Sequence, residues 1–363
     1  MDDFCCWIDD DLALLPPLPR HGAAQFEAVE RSRERIGRWL NWVENTTAVE
    51  HVVATRRNAC RALGRRRGFQ CGILHRGEAA GSVGVSDVHR VDRCGEFGYW
   101  LAEGHEGGGV MTRCVPPVLA HAHGAMRLRR VYLCASAGNE RSQRVMQRSG
   151  CTREATLAAG DPLSNGEVTD QVMYAHLGDA GEPVEFALPT AKAGVSLALV
   201  QPHHARAWFA IVDRERERLG RTMRFVHRQR RVRDVRRFIA REWDAHADET
   251  GVSCVILRDG QLVGGISVHG MGGVARRGGI GYWLAEAAEG QGVMSASLCA
   301  FGRHLWANRP ELVRLQLRIE PDNARSRKLA EACGFAYEGT LRDDFRIGGK
   351  TEDSSLYGMR RPG

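Results

Sequence analysis

Lysine is almost missing from this chain: of 51 basic residues among 363, only Lys192, Lys328 and Lys350 are not arginine. Such one-sided usage follows genome composition as readily as function, so a net charge of +7 does not by itself imply a nucleic-acid partner. Nor is there an aromatic series interleaved with the arginines, which excludes a stacking platform for single strands. No long uncharged apolar run exists, which excludes a membrane-spanning helix. The start, Met1-Asp2-Asp3, is acidic rather than basic and apolar, so the expected location is the cytoplasm. Eleven cysteines show no Cys-x-x-Cys pair and no histidine at zinc spacing, and their number is odd. A structural zinc or a disulfide framework is therefore excluded, and reduced thiols filling apolar space are expected, with no metal site. Cys134, in an expected strand just before Asn139, stands apart from the rest.

What is present is a repeat. Gly-Tyr-Trp-Leu-Ala-Glu occurs at Gly98 to Glu103 and again at Gly281 to Glu286. The segment Arg33-Glu34-Arg35-Ile36-Gly37-Arg38 returns at the same offset of 183 as Arg216-Glu217-Arg218-Leu219-Gly220-Arg221. Beyond the glycine-rich turn the offset becomes 184, aligning Asn139-Glu140-Arg141-Ser142 with Asn323-Ala324-Arg325-Ser326. A period this long exceeds that of solenoid repeats, so each copy should fold around its own core. The unpatterned stretch Asp179-Ala180-Gly181-Glu182-Pro183 separates the copies, and the expected domains are 1–180 and 181–363. So short a linker favours halves docked as a pseudo-dimer.

Within each copy, helical patterns (about 22–41 and 203–219) precede a second helix ending near Gly64 or Ala247. Strands are expected at 69–74, 80–88 and 95–101, repeated at 252–257, 261–268 and 278–284. A glycine loop, a helix, a strand (130–135; 313–319), a helix opening near Glu140 or Ala324 and a closing strand pair follow. The fold class is α+β, with a mixed sheet in each copy. The densest basic stretch, 214–241, carries twelve arginines against Glu215, Glu217 and Asp234. It reads as a solvated helical face or as a surface attracting anionic substrates or an acidic protein.

The turn is where chemistry concentrates. A strand ending in Tyr-Trp-Leu, then Gly107-Gly108-Gly109-Val110-Met111-Thr112 opening a helix, presents free backbone N–H groups to an anion. Gly290-Gln291-Gly292-Val293-Met294-Ser295 does the same, and glycines permit close approach of a phosphate. These residues, with Pro321-Asp322-Asn323-Ala324-Arg325-Ser326 and Cys333-Gly334-Phe335 leading to Glu338-Gly339-Thr340-Leu341-Arg342, resemble the GNAT superfamily of N-acetyltransferases, in its RimJ/RimL-like branch. The resemblance covers nearly the whole chain, twice. It implies two tandem GNAT-like domains, each with a mostly antiparallel central sheet flanked by helices, and acetyl-CoA as cofactor. It places the pyrophosphate on Gly107, Gly109, Val110, Met111 and Thr112, and on Gly290, Gly292, Val293, Met294 and Ser295, with Asn139 and Asn323 nearby. The backbone around Leu101 and Leu284 would polarise the acetyl carbonyl.

Departures from that pattern are visible. Gly104 and Ala287 stand where the family has Gln or Arg, and Glu106 and Glu289 put a carboxylate just before the first glycine. Pro116 and Pro117 fall in the second turn of the first copy's helix, where a kink is expected.

Acetyl transfer to an amine needs a proton donor for the departing thiolate and a base for the ammonium. By the resemblance the donors are Ser142 and Ser326, although a serine there could instead cap its helix, a role open also to the asparagines. The base position nineteen residues later is Asp161 in the first copy. In the second it is Phe345, which leaves Asp344 just before it as candidate. Trp39 and Trp42 align with Thr222 and Phe225, with Arg224 added, and this segment is expected to wall the amine pocket. The reaction expected is acetylation of a primary amine, of a small molecule first and of a peptide N-terminus second, with a non-catalytic CoA-binding module as the competing reading.

Overall fold

The long repeat is realised as two units, Cys5–Phe186, and Ala187–Gly363 together with Met1–Phe4. The protein is described by a computed structural model, which covers residues 3–163, 166–272, 274, 276–347 and 350–362.

In the first unit the strands are β1 (Cys6–Trp7), β2 (Leu12–Leu15), β3 (Phe69–His75), β4 (Glu78–His89), β5 (Cys94–Leu101), β6 (Arg130–Ser136), β7 (Thr152–Pro162) and β8 (Val168–Leu177). Its helices are α1 (Gly22–Gly37), α2 (Val49–Gly64), α3 (Val110–Gly124) and α4 (Glu140–Arg148). The second unit has β9 (Ala187–Pro189), β10 (Val195–Leu199), β11 (Gly251–Arg258), β12 (Gln261–His269), β13 (Arg277–Leu284), β14 (Arg314–Ile319), β15 (Ala336–Ile347) and β16 (Lys350–Arg360). Its helices are α5 (Ala205–Arg214), α6 (Arg216–Gly220), α7 (Arg224–Arg228), α8 (Val232–Ala247), α9 (Val293–Asn308) and α10 (Ala324–Ala332).

The sheets have matching order, β1-β2-β3-β4-β5-β6-β8-β7 and β9-β10-β11-β12-β13-β14-β16-β15. All neighbours are antiparallel except β5 with β6 and β13 with β14, so each unit is the mixed, mostly antiparallel α+β sheet that was expected. A parallel pair needs a crossover, and α3 or α9 supplies it.

Burial follows pattern. On α1 the buried residues Ala28, Val29, Ser32 and Ile36 lie at helical spacing and pack on Trp100 of β5. On α9 the same logic buries Leu298, Phe301 and Leu305, each stabilising the fold by about 1.5–3 kcal/mol. The strands β1, β2, β9 and β10, at one side of each sheet, have no counterpart in the sequence reading. Leu12 to Leu15 is a four-residue apolar run ahead of two prolines, buried throughout, and so shows no alternation.

One local expectation is corrected. The helix expected at 203–219 is two, because the chain leaves helical geometry at Glu215 (φ −107°, ψ 22°), whose carboxylate turns to accept from the Glu286 N–H at 3.0 Å. α3 runs from Val110 to Gly124 with Pro116 and Pro117 inside it, each removing one backbone donor. Among the described residues no helix is long and apolar enough to cross a membrane.

Candidate active site

Each sheet opens where its parallel strands part. The β13–β14 register runs from Arg277↔Arg314 to Ile280↔Leu317 and stops, while β13 continues through Gly281, Tyr282, Trp283 and Leu284. In the first unit it stops at Glu96↔Tyr132, and β5 continues to Leu101. The repeated hexapeptide therefore lies where β5 or β13 has lost one partner, and in the second unit Gly281, Tyr282, Trp283 and Leu284 line a cleft.

The glycine turn closes one end of that cleft. Gly107 and Gly109 (φ 82° and 73°), like Gly290 and Gly292 (71° and 72°), are left-handed, and a Cβ on any of them would meet nothing within 4 Å. These positions need glycine for conformation and leave open space before α3 or α9. Of the following residues Val110, Met111, Val293 and Met294 are buried, whereas Thr112 and Ser295 are half-buried. In the second unit Val293, Met294 and Ser295 line the cleft together with Gly290 and Gly292.

The two roles open to the serines are separated by their neighbours. Asn139 and Asn323 are the helix caps, accepting from the N–H of Ser142 and Ser326 at 3.1 Å in each case. The serine hydroxyls are thus free to bond elsewhere. Ser142 Oγ lies 2.9 Å from the Tyr99 hydroxyl, and Ser326 Oγ 2.7 Å from that of Tyr282. Burial pushes the Tyr282 hydroxyl up to about 12, and that of Tyr99 also upward. Both tyrosines were overlooked as functional residues, although they are the second residue of the repeated hexapeptide.

The carboxylates before the glycines do not face an anion bare. Glu289 accepts from Arg218 at 2.6 Å and from Arg325 at 2.5 Å. Glu106 is held by Arg35 and by Arg141, the latter at 2.7 Å. Arg218 also donates to the Leu284 carbonyl at 2.7 Å, fixing the end of β13. The sequence concern about Glu106 and Glu289 is met by two arginines around each; the signal was the matched Arg35/Arg218 and Arg141/Arg325 in the repeat.

In the second unit the cleft measures about 1510 Å³ and is lined by the glycine turn, Tyr282, Leu284, Asn323 and Ser326, and further along by Arg224, Phe225, Asp344 and Phe345. Asp344 is engaged, accepting from Arg318 at 2.9 Å and from the Ser354 hydroxyl at 2.5 Å. Another lining carboxylate, Glu320 at the end of β14, is half-buried, and burial raises its pKa above the usual range. Phe225 packs 6.0 Å from Trp283, and the Arg224 guanidinium lies 5.8 Å from the Phe345 ring centroid.

In the first unit Trp42 is 40% exposed and tilted against Trp100 at 5.9 Å. Trp39 reaches the other wall: a Cβ built on Gly138, beside Asn139, would lie 3.4 Å from its ring. Thr222 and Asp322 hold the matching positions in the second unit. Asp161, on β7, has its carboxyl pushed up by burial.

A family model described as an acetyltransferase (GNAT) domain matches residues 12–152 and again residues 195–336. YdaF of Bacillus subtilis (strain 168), whose name marks it as a candidate ribosomal N-acetyltransferase, is 28% identical over 178 residues, 48% of this chain and 95% of its own. The ribosomal-protein-serine acetyltransferase of Escherichia coli (strain K12) is 26% identical over 170 residues, 46% of this chain and 94% of its own. A solved structure of RimL, a ribosomal L7/L12 alpha-N-protein acetyltransferase in complex with coenzyme A, is 22% identical and matches with TM-score 0.46, covering 48% of this chain and 97% of that one.

Proposed function

Because the chain belongs, twice over, to the acetyltransferase (GNAT) domain family, we propose that its second unit acetylates the N-terminal amine of a polypeptide. The enzyme is an acetyl-CoA-dependent N-acetyltransferase. Its residues fit that cofactor: left-handed glycines with open space over them at a helix N-terminus suit a pyrophosphate, and the unpaired end of β13 suits an amide-bearing arm. Gly290, Gly292, Ser295 and Asn323 would hold it, and it supplies an activated acetyl thioester.

The chain's own groups supply the proton handling. Ser326 Oγ, its hydrogen bond to Tyr282 in place, is the proton donor at the cleft, and Tyr282 holds the hydroxyl in position. Asp344 was the sequence's candidate base, but its carboxylate oxygens are taken by Arg318 and the Ser354 hydroxyl. We therefore assign proton acceptance to Glu320, whose burial favours taking up a proton. Phe225 and Arg224 wall the acceptor end.

The single observation that carries this reading is the cleft holding glycine turn, Ser326 and acceptor wall in one continuous space. The choice of a polypeptide over the small amine first expected is supported by the names of two relatives, one a ribosomal N-acetyltransferase and the other a ribosomal-protein-serine acetyltransferase. In the first unit we assign Ser142 and Asp161 the corresponding roles, with Trp39 narrowing the acceptor side. The test is thiol release from acetyl-CoA by the full chain with short peptides and with small amines. Acetylated peptide seen by mass spectrometry is expected; release with small amines alone would return the reading to a small-molecule acceptor.

A further inference from the structure

Among the described residues, three arginines of the acceptor wall have no carboxylate partner. Arg224 and Arg228 on α7 and Arg241 on α8 line the second unit's cleft. Among the described residues none of the three guanidinium groups makes a hydrogen bond or an ion pair, and only Arg224 has a ring contact, with Phe345. The neighbouring carboxylates are committed elsewhere. Asp234 accepts from the backbone N–H of Arg230 at 3.1 Å and of Arg231 at 3.0 Å, and Asp344 is held by Arg318 and Ser354.

Unpartnered like charges on one wall repel, and Arg224 and Arg228 stand at i and i+4 of one helix, where such repulsion is direct. The copies give this meaning. Their helices align at an offset of 183, α2 with α8 and the turn at Asn41–Val43 with α7, so Arg224, Arg228 and Arg241 occupy the positions of Asn41, Asn45 and Asn58. Where the first copy carries three amides, the second carries three cations lining one cleft. Surface drift in an arginine-rich chain would not select three cleft positions and leave them without carboxylates, while a bound anion would relieve the repulsion.

We propose that the second cleft selects amine acceptors bearing an anionic group, carboxylate or phosphate, close to the reacting amine, and that Arg224, Arg228 and Arg241 bind it. The first unit, with asparagines at those positions, offers no such charge. The inference rests on the transfer reading above for the word acceptor, but anion binding can be measured without transfer.

The experiment uses the full chain and two matched pairs. C-terminally labelled Ser-Asp-Glu-Asp and Ser-Asn-Gln-Asn are followed by fluorescence anisotropy, and both are assayed for acetylation beside O-phosphoethanolamine and ethanolamine. The acidic peptide is expected to bind about tenfold more tightly at low salt, the size of two or three exposed ion pairs, and the ratio should shrink as salt screens it. In R224N/R228N/R241N the ratio should fall towards one, whereas R224K/R228K/R241K should keep most of it, which separates lost charge from lost fold. A preference in the small pair alone identifies a free anionic amine, and in the peptide pair alone an acidic N-terminus; either supports the inference. Equal binding of both members of both pairs, or an undiminished ratio in the asparagine variant, overturns it. Charge-selective binding with no acetylation of anything sinks the transfer reading and leaves this one standing. Acetylation with no charge preference does the reverse.

Discussion

The phenolic oxygen of Tyr282 lies 2.7 Å from Oγ of Ser326, joining β13 to the first turn of α10 across the split in the sheet. Asn323 caps that helix, so the serine hydroxyl is not consumed by backbone and can be shared with the tyrosine. The pair Tyr99 and Ser142 repeats the contact at 2.9 Å.

Ser326→Ala should lower kcat by about ten- to a hundredfold, as for loss of a positioned proton donor, with little change in KM for acetyl-CoA. Tyr282→Phe should lower kcat less. Since burial keeps the Tyr282 hydroxyl protonated up to about 12, the kcat–pH profile of the phenylalanine variant should retain its shape through neutral pH. Steady-state kinetics on the pair, with unchanged kcat for both, would remove the proton-donor role.

Gly290→Asp with Gly292→Asp places two side chains in left-handed backbone and two carboxylates at a helix N-terminus. Cofactor affinity should fall by about tenfold or more, since each such residue costs of order 1–2 kcal/mol before any repulsion. Calorimetry with coenzyme A reads this directly, and an intact affinity would mean that the second turn does not hold the cofactor.

Trp39→Thr copies into the first unit the residue at the matching position of the second, Thr222. Combined with Ser326→Ala, which lowers the second unit's share of turnover, it should raise peptide acetylation several-fold by freeing the space near Gly138. A flat response would show that the ring is not what limits that unit.

Glu320→Gln should slow turnover yet stabilise the fold at neutral pH. Its folded pKa is raised by burial, so the ionised carboxylate is a liability that grows as pH rises from the unfolded value through the folded one. The melting-temperature gain of the variant should therefore be full at neutral pH and vanish below about pH 4.3, the ordinary glutamate value. Gain at acid pH alone would reverse the sign argued for Glu320.

Much of this molecule is visible along the chain because the repeat aligns every element with a second witness. The strands at 69–74 and 95–101, the glycine turns and the helices opening at Glu140 and Ala324 need only period, punctuation and capping, which are local. The strands β2 and β10 escape notice because burial of all four residues of the first, and of all but Ser196 of the second, erases alternation. Glu215 ends α5 through a partner, the Glu286 N–H, that lies far along the chain.

The site divides in the same way. Sequence alone determined the duplication, the sheet class and the two glycine turns, since conformation at glycine and spacing within a repeat are properties of neighbouring residues. Only the tertiary structure decided which groups are free to act. Arg218 and Arg325 around Glu289, Arg318 beside Asp344, Tyr282 on Ser326 and, among the described residues, the lack of carboxylates at Arg224, Arg228 and Arg241 are consequences of how the elements pack. Charge pairing and burial depend on distance through space, and no spacing along the chain encodes them.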